Sequence, residues 1–252
     1  MRVSGIRIPQ NFLTSRRTIE RLLRLTNISK NDHIVEIGPG KGHITGPLLD
    51  ACGRLTAVEI DGGLCDILEA KFQGRRNLAL RRADFLKWPL PASEYKVFAN
   101  IPFSRTTEIL RKLAGSRNPP AEAWLVMEKG AAKGFMGIPK EDRRSLMTKP
   151  VFDMEIVWRF RREDFHPAPA ADAVLLHLKR KERPDVPFGL RREYERFLTL
   201  ALRNNGLGLS RILTKRQIAA ALREAGERDA RSGEILYVQW LCLFRRARES
   251  GL

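Results

Sequence analysis

Short apolar, β-branched runs recur along the first part of the chain, at residues 33–37, 55–60, 78–82, 96–99, 124–127, 156–160 and 173–178. Helix-length segments such as 62–72 and 106–114 separate the early ones, and Ile19, Leu22, Leu23 and the apolar positions of 25–28 predict a helix after Leu13. Strands alternating with helices predict a parallel sheet covered on both faces. Seven strands, the last two joined by a short polar loop, predict a doubly wound sheet ending in an antiparallel hairpin. Around residues 179–187 the pattern breaks into charges and two prolines, which reads as a linker. Beyond it helical spacing takes over, with Tyr194, Phe197, Leu198 and Ala201, then Ile212, Leu213, Ile218 and Leu222, then Ile235, Leu236, Leu241 and Phe244. The expected organisation is a sheet-bearing domain at 1–180 and a small all-α domain at 181–252.

Composition adds a partner. Lys and Arg number 46 against 29 Asp and Glu, a formal net charge of +17 on a chain whose 43% hydrophobic content demands a folded core. That excess favours a polyanion, and nucleic acid is the commonest one. From Lys179 onward 17 basic residues face 9 acidic ones, about twice the density of positive charge in the rest of the chain. The tail is therefore the candidate RNA-gripping part. Cys52, Cys65 and Cys242 lack paired ligand spacing, so neither a zinc site nor a disulfide framework is expected. No signal core opens the sequence and no run approaches the ~18 apolar residues of a membrane span, so the expectation is a cytoplasmic protein without a membrane partner.

Candidate chemistry sits at the predicted strand ends, where open α/β sheets bind ligands. After the first strand comes Glu36-Ile37-Gly38-Pro39-Gly40-Lys41-Gly42-His43. Its third glycine falls one place early for a pyrophosphate cradle, and Lys41 is not followed by the Ser or Thr of a Walker loop. Glycines in this pattern suit S-adenosylmethionine (SAM), whose single carboxylate can use a helix N-terminus. Glu59 follows Gly38 by 21 positions, where an acidic residue can bind both hydroxyls of a ribose. Asp84 could accept from an adenine amine while Phe85 or Ile60 packs on its ring. Phe98-Ala99-Asn100-Ile101-Pro102-Phe103 ends the fourth strand run in an amide, a stiff proline and an aromatic ring. The Asn100 oxygen and the Ile101 carbonyl could accept both hydrogens of a nucleobase amine and localise its lone pair. Pro102 would hold those acceptors with little ordering cost, and Phe103 would stack on the base.

In this order, together with Gln10-Asn11-Phe12 and Phe165-His166-Pro167-Ala168-Pro169, these motifs resemble the rRNA adenine-N6 methyltransferases. The chain is most similar to the erythromycin-resistance methyltransferases of large-subunit rRNA, through Lys41, His43, Ile101 and the Thr214-Lys215-Arg216-Gln217 tail motif. The resemblance implies a Rossmann-like class I SAM-dependent fold with a seven-stranded, mostly parallel sheet. It implies that Asn11 and Leu13 lie at the methionine end of SAM, that Gly38 and Gly40 line it, that Glu59 holds the ribose and that Asp84, with Ile60 and Phe85, holds the adenine. Asn100, which would also touch SAM, would with Ile101, Pro102 and Phe103 hold the target base, and Phe165 would close its other face. The family usually has Tyr where this chain has Phe103. The implied partner is protein-free or precursor rRNA, the implied protein a monomer without a metal, and the implied outcome macrolide-lincosamide-streptogramin B resistance.

The residues predict direct in-line methyl transfer, since no Cys has a His placed to activate it and near-attack placement can supply about 7–11 kcal/mol. The faces of Phe103 and Phe165 could each stabilise the passing positive charge by about 0.5–2 kcal/mol. The basic tail and an Arg105, Arg111, Lys112 face are expected to hold phosphates. Three rivals stand beside this reading: a small-subunit dimethylase, a non-catalytic nucleic-acid-binding factor on the same fold, and a small-molecule N-methyltransferase.

Overall fold

A computed structural model of the chain describes residues 12–226 and 234–251. The strands are β1 (Phe12–Leu13), β2 (His33–Ile37), β3 (Arg54–Glu59), β4 (Leu78–Arg82), β5 (Lys96–Asn100), β6 (Glu122–Glu128), β7 (Phe152–Arg159), β8 (Phe165–His166) and β9 (Ala173–Arg180). Seven of them form one sheet of order β4-β3-β2-β5-β6-β9-β7, while β1 and β8 pair separately. From β4 to β6 every pairing is parallel, and β9 runs antiparallel to β6 from Glu122 opposite Lys179 to Glu128 opposite Ala173. Ile34, Val35, Val97, Phe98 and Ala99 are fully buried, so these strands are covered on both faces and consecutive apolar residues replace the alternation of a one-faced strand. The Rossmann-like class I methyltransferase architecture expected from the sequence is the one observed.

Helices α1 (Arg16–Arg24), α2 (Thr45–Ala51), α3 (Gly62–Lys71), α4 (Thr106–Gly115) and α5 (Lys129–Phe135) alternate with the strands. The Asp61 side chain caps α3 by accepting from the Leu64 N–H at 3.0 Å, which turns the chain sharply just beyond Glu59. Two local expectations need correction. The helix after Leu13 stops at Arg24 instead of running through 28, because the Thr26 hydroxyl donates to the Leu23 carbonyl at 2.7 Å and leaves Leu25 exposed. The link between β7 and β9 is no simple polar loop, since it contains β8, whose Phe165 sits opposite Leu13 of β1.

Backbone contacts divide the chain into two compact units. The first holds residues 12–132 and Met154–Arg180 and carries the sheet. The second joins Lys133–Asp153 to residues 181 onward, so a segment from between β6 and β7 belongs with the helical tail. In the second unit α6 (Arg143–Thr148) brings the fully buried Leu146 into one core with residues of α7 (Arg191–Ala201), α8 (Lys215–Glu224) and α9 (Tyr237–Glu249). Tyr194 and Phe244 meet there edge to face at 4.9 Å. No helix among the described residues is long and apolar enough to cross a membrane.

Candidate active site

Strand order reverses between β2 and β5, with β3 and β4 lying beyond β2 and β6 beyond β5. A cavity of about 480 Å³ opens there, at the carboxyl ends of the strands. Phe12 and Leu13 line it from β1, Glu36 from β2, Gly38, Pro39, His43 and Ile44 from the glycine loop, and Asn100, Ile101, Pro102, Phe103 and Ser104 from the end of β5. The two motifs that the sequence singled out independently therefore face one space. Asn11 lies outside the described residues.

Gly38, Gly40 and Gly42 all adopt positive φ, at 63°, 57° and 73°. Gly38 also anchors the turn, its N–H donating to the Val58 carbonyl at 3.0 Å. At Gly42 a side chain would meet the Phe72 ring at 2.7 Å, so glycine is required there by contact as well as by backbone angle. Lys71 donates to the Lys41 carbonyl at 3.0 Å and clamps the loop from α3.

Two buried carboxylates stand beneath this loop. Glu59, at the end of β3, is 1% exposed and accepts from the N–H groups of Gly40 at 3.1 Å, Ile60 at 2.8 Å and Asp61 at 3.0 Å. A carboxylate offers about four acceptor positions, so one remains for a ribose hydroxyl. Glu36, on β2, is 2% exposed and its Oε2 has no hydrogen-bond partner. Burial pushes its carboxyl up to about 8, with the Glu59 charge adding to the shift and the Thr45 hydroxyl opposing it. Sequence reading assigned Glu36 no role, because nothing in a lone strand glutamate signals that it is stranded without donors.

Farther along the edge, Asp84 accepts from the Leu86 N–H at 2.9 Å through Oδ1. Phe85 is 6% exposed, whereas Ile60 is 58% exposed and the more available apolar surface for a flat ring. Gly40, Glu59, Ile60, Asp84 and Phe85 do not line the cavity itself; they occupy the neighbouring strand ends, with Gly40 joined to Glu59. Lys112 is not a free phosphate contact, because its ammonium is taken up by the carbonyls of Phe85, Leu86 and Trp88. Arg105 likewise pairs with Glu108 at 3.1 Å, which leaves Arg111 exposed and without a partner among the described residues.

At the end of β5 the Ile101 N–H donates to the Val126 carbonyl at 3.2 Å, fixing the strand end before Pro102 takes φ −59°. Phe103 is half-buried on the cavity wall. Phe165 is placed differently: it is 4% exposed, packs on Phe160 at 5.1 Å and does not line the cavity. Glu128, Ala170 and Ala171 complete the wall and carried no motif in the sequence. Cys52 and Cys65 are buried, and burial raises both thiols, Cys52 to about 11, which suits neither for nucleophilic attack at neutral pH. No cluster of His, Cys, Asp and Glu that could hold a metal occurs among the described residues.

Sheet order, glycine loop and cavity position together define a Rossmann-like methyltransferase. The profile described as "Ribosomal RNA adenine dimethylase" matches residues 5–230, and the chain belongs to that family. An rRNA adenine N-6-methyltransferase of Limosilactobacillus reuteri is 33% identical over 97% of each chain, and one of Lysinibacillus sphaericus 32% identical over 95% of each. Among solved structures, the 23S rRNA methyltransferase ErmE superposes with a TM-score of 0.80 at 29% identity, over 94% of this chain and all of that one. A dimethyladenosine transferase of Plasmodium falciparum, at 18% identity and a TM-score of 0.74, shares the fold over 96% of this chain and 98% of its own. The protein is thus an rRNA adenine N6-methyltransferase of the SAM-dependent class.

Proposed function

We propose that the protein methylates N6 of one adenine in large-subunit (23S) rRNA and so confers macrolide-lincosamide-streptogramin B resistance. The observation that carries this reading is that Asn100, Ile101, Pro102 and Phe103 open onto the same cavity as Gly38. The resemblance of the glycine loop and of the Thr214 to Gln217 motif to the resistance enzymes, and the likeness to ErmE, favour the large subunit.

The residues present fit SAM. Glu36 turns a buried carboxyl oxygen, Oε2, without a hydrogen-bond partner toward the cavity it lines, and Ile60 is an exposed apolar side chain next in sequence to Glu59. Bound SAM would supply an electrophilic methyl on a sulfonium. Leu13 and Gly38 would line its methionine end, Gly40 and Glu59 would hold its ribose, and Asp84, Ile60 and Phe85 its adenine. The Asn100 amide oxygen and the Ile101 carbonyl accept the two hydrogens of the target amine and aim its lone pair. Pro102 keeps both acceptors in place, and Phe103 stacks on the base. The methylated amine then loses its proton to water, so no strong base is needed. As the structure stands Phe165 is buried, so stacking from its side requires the 165–169 segment to shift.

A target adenine leaves its stack at a cost of a few kcal/mol, so a single-stranded or bulged adenine in protein-free or precursor RNA is the preferred substrate. Arg192, Arg196, Arg203, Lys215, Arg216 and Arg223 are exposed in the helical unit and lack ion pairs among the described residues, as phosphate contacts require. We assign the protein to the cytoplasm as a monomer. The test offers labelled cofactor with naked large-subunit RNA, naked small-subunit RNA and assembled subunits. Label on a single adenine of naked large-subunit RNA is the expected result; label on small-subunit RNA alone would make it the sister dimethylase instead, and no label on any RNA would reject catalysis.

A further inference from the structure

The chain from Asp84 to Trp88 makes one helical turn directly after β4. The N–H groups of Lys87 and Trp88 both donate to the Asp84 carbonyl at 2.9 Å, and the Asp84 side chain caps the turn at Leu86. A single turn of this kind leaves its last carbonyls without backbone partners. Here three of them converge on one cation. The Lys112 ammonium on α4 donates to the carbonyls of Phe85 at 2.5 Å, Leu86 at 3.1 Å and Trp88. An ammonium has three donors and no acceptor, so three carbonyls saturate it. The same nitrogen stands 4.9 Å from the centre of the Phe85 ring. Burial lowers its pKa, opposed by the charge of Asp84.

We infer that Lys112 is a positioning residue for the cofactor's adenine: it fixes the turn that aims Asp84 at the exocyclic amine and holds the Phe85 ring beneath it. This rests on the assignment of Asp84 to the adenine. The geometry separates two jobs within one side chain. Oδ1 of Asp84 is committed to the turn, and Oδ2, which has no partner among the described residues, is the acceptor offered to the ligand. An Asp that both caps a turn and binds a ligand needs that turn held from outside, and Lys112 does so from α4, which also follows directly on the Asn100 to Phe103 motif. One helix thereby carries the register of the target-base pocket at its start and of the adenine pocket farther along. The positive charge predicted to meet RNA is turned inward.

The test measures calorimetric affinity for S-adenosylhomocysteine and for S-inosylhomocysteine, whose ring carries oxygen in place of the amine. The full-length protein should prefer the amine form by about tenfold or more, the value of one well-placed hydrogen bond to a carboxylate. In Lys112→Met, which keeps the aliphatic stem, that preference should fall towards unity while turnover at saturating cofactor stays within about threefold. Lys112→Arg keeps the charge but cannot match three converging carbonyls with a planar fork, and should retain only part of the preference. In an Asp84→Ala background, Lys112→Met should change the preference no further. An undiminished preference in Lys112→Met and Lys112→Arg overturns the inference, as does an equal loss of both ligands with the preference intact. If Lys112→Met fails to fold, Lys112→Arg decides, alone and in the Asp84→Ala background: an undiminished preference in the single variant overturns the inference. A parent protein that binds both ligands equally refutes the adenine assignment of Asp84 and the inference with it. One that binds neither refutes the cofactor reading instead.

Discussion

Glu36 and Glu59 sit on adjacent parallel strands, both almost sealed from water, yet the backbone treats them in opposite ways. Glu59 lies where β3 ends, and the chain beyond it bends so that three N–H groups point at its oxygens. Glu36 lies inside β2, two residues short of the turn, where strand pairing has already consumed the nearby amides. Position within the strand, and not depth of burial, decides whether a buried carboxylate is satisfied. The unsatisfied one lines the cavity beside Glu128, and its burial keeps it protonated at neutral pH.

The comparison can be broken at four points. Glu59→Ala should have the largest effect: three amides lose their acceptor, each at about 1–3 kcal/mol, so cofactor affinity measured by calorimetry should fall by more than about 100-fold and the melting temperature should drop. Asn100→Ala, one strand beyond Glu36, should cut turnover about 100- to 1,000-fold with cofactor binding nearly unchanged, as for other preorganised polar contacts at a reacting centre; near-normal turnover would remove its amine-positioning role. Glu36→Gln should stabilise the protein. Because the folded-state pKa of Glu36 is raised to about 8, its protonated form is favoured and stability is lost as pH climbs from the ordinary carboxylate range through 8. Denaturant titrations should show the Gln variant ahead by a margin that grows between about pH 5 and 8 to a few kcal/mol and is flat above; a margin independent of pH would show that Glu36 is ionised when folded. Phe103→Tyr should leave activity within a few fold and Phe103→Ala should lower it about tenfold, the scale of one base–aromatic stack; equal activities would end the stacking argument.

Much of the sheet was legible because parallel strands leave short clusters of consecutive apolar residues, as at 34–35 and 97–99. The glycine loop and the 100–103 turn were legible for a related reason, since glycine and proline state backbone angles outright. What escaped depends on contacts between distant residues. The 133–153 segment has no motif of its own and gains its identity from partners such as Tyr194 and Phe244. Lys112 looks like any surface lysine until the carbonyls of residues 85–88 are seen around it. Phe165 carries the family's Phe-His-Pro signature yet lies packed against Phe160, because β8 pairs with β1 and draws it inward.

Leu146 has a further consequence for how the molecule is made. It emerges from the ribosome long before Phe197 and Trp240, with which it shares a core, and at about 5–20 residues per second that interval lasts several seconds. Over that time β7 and β9 can complete the sheet around a tethered apolar loop. The nascent chain must therefore carry an uncovered leucine until its last helix arrives, and any pause in translation before α9 lengthens that exposure.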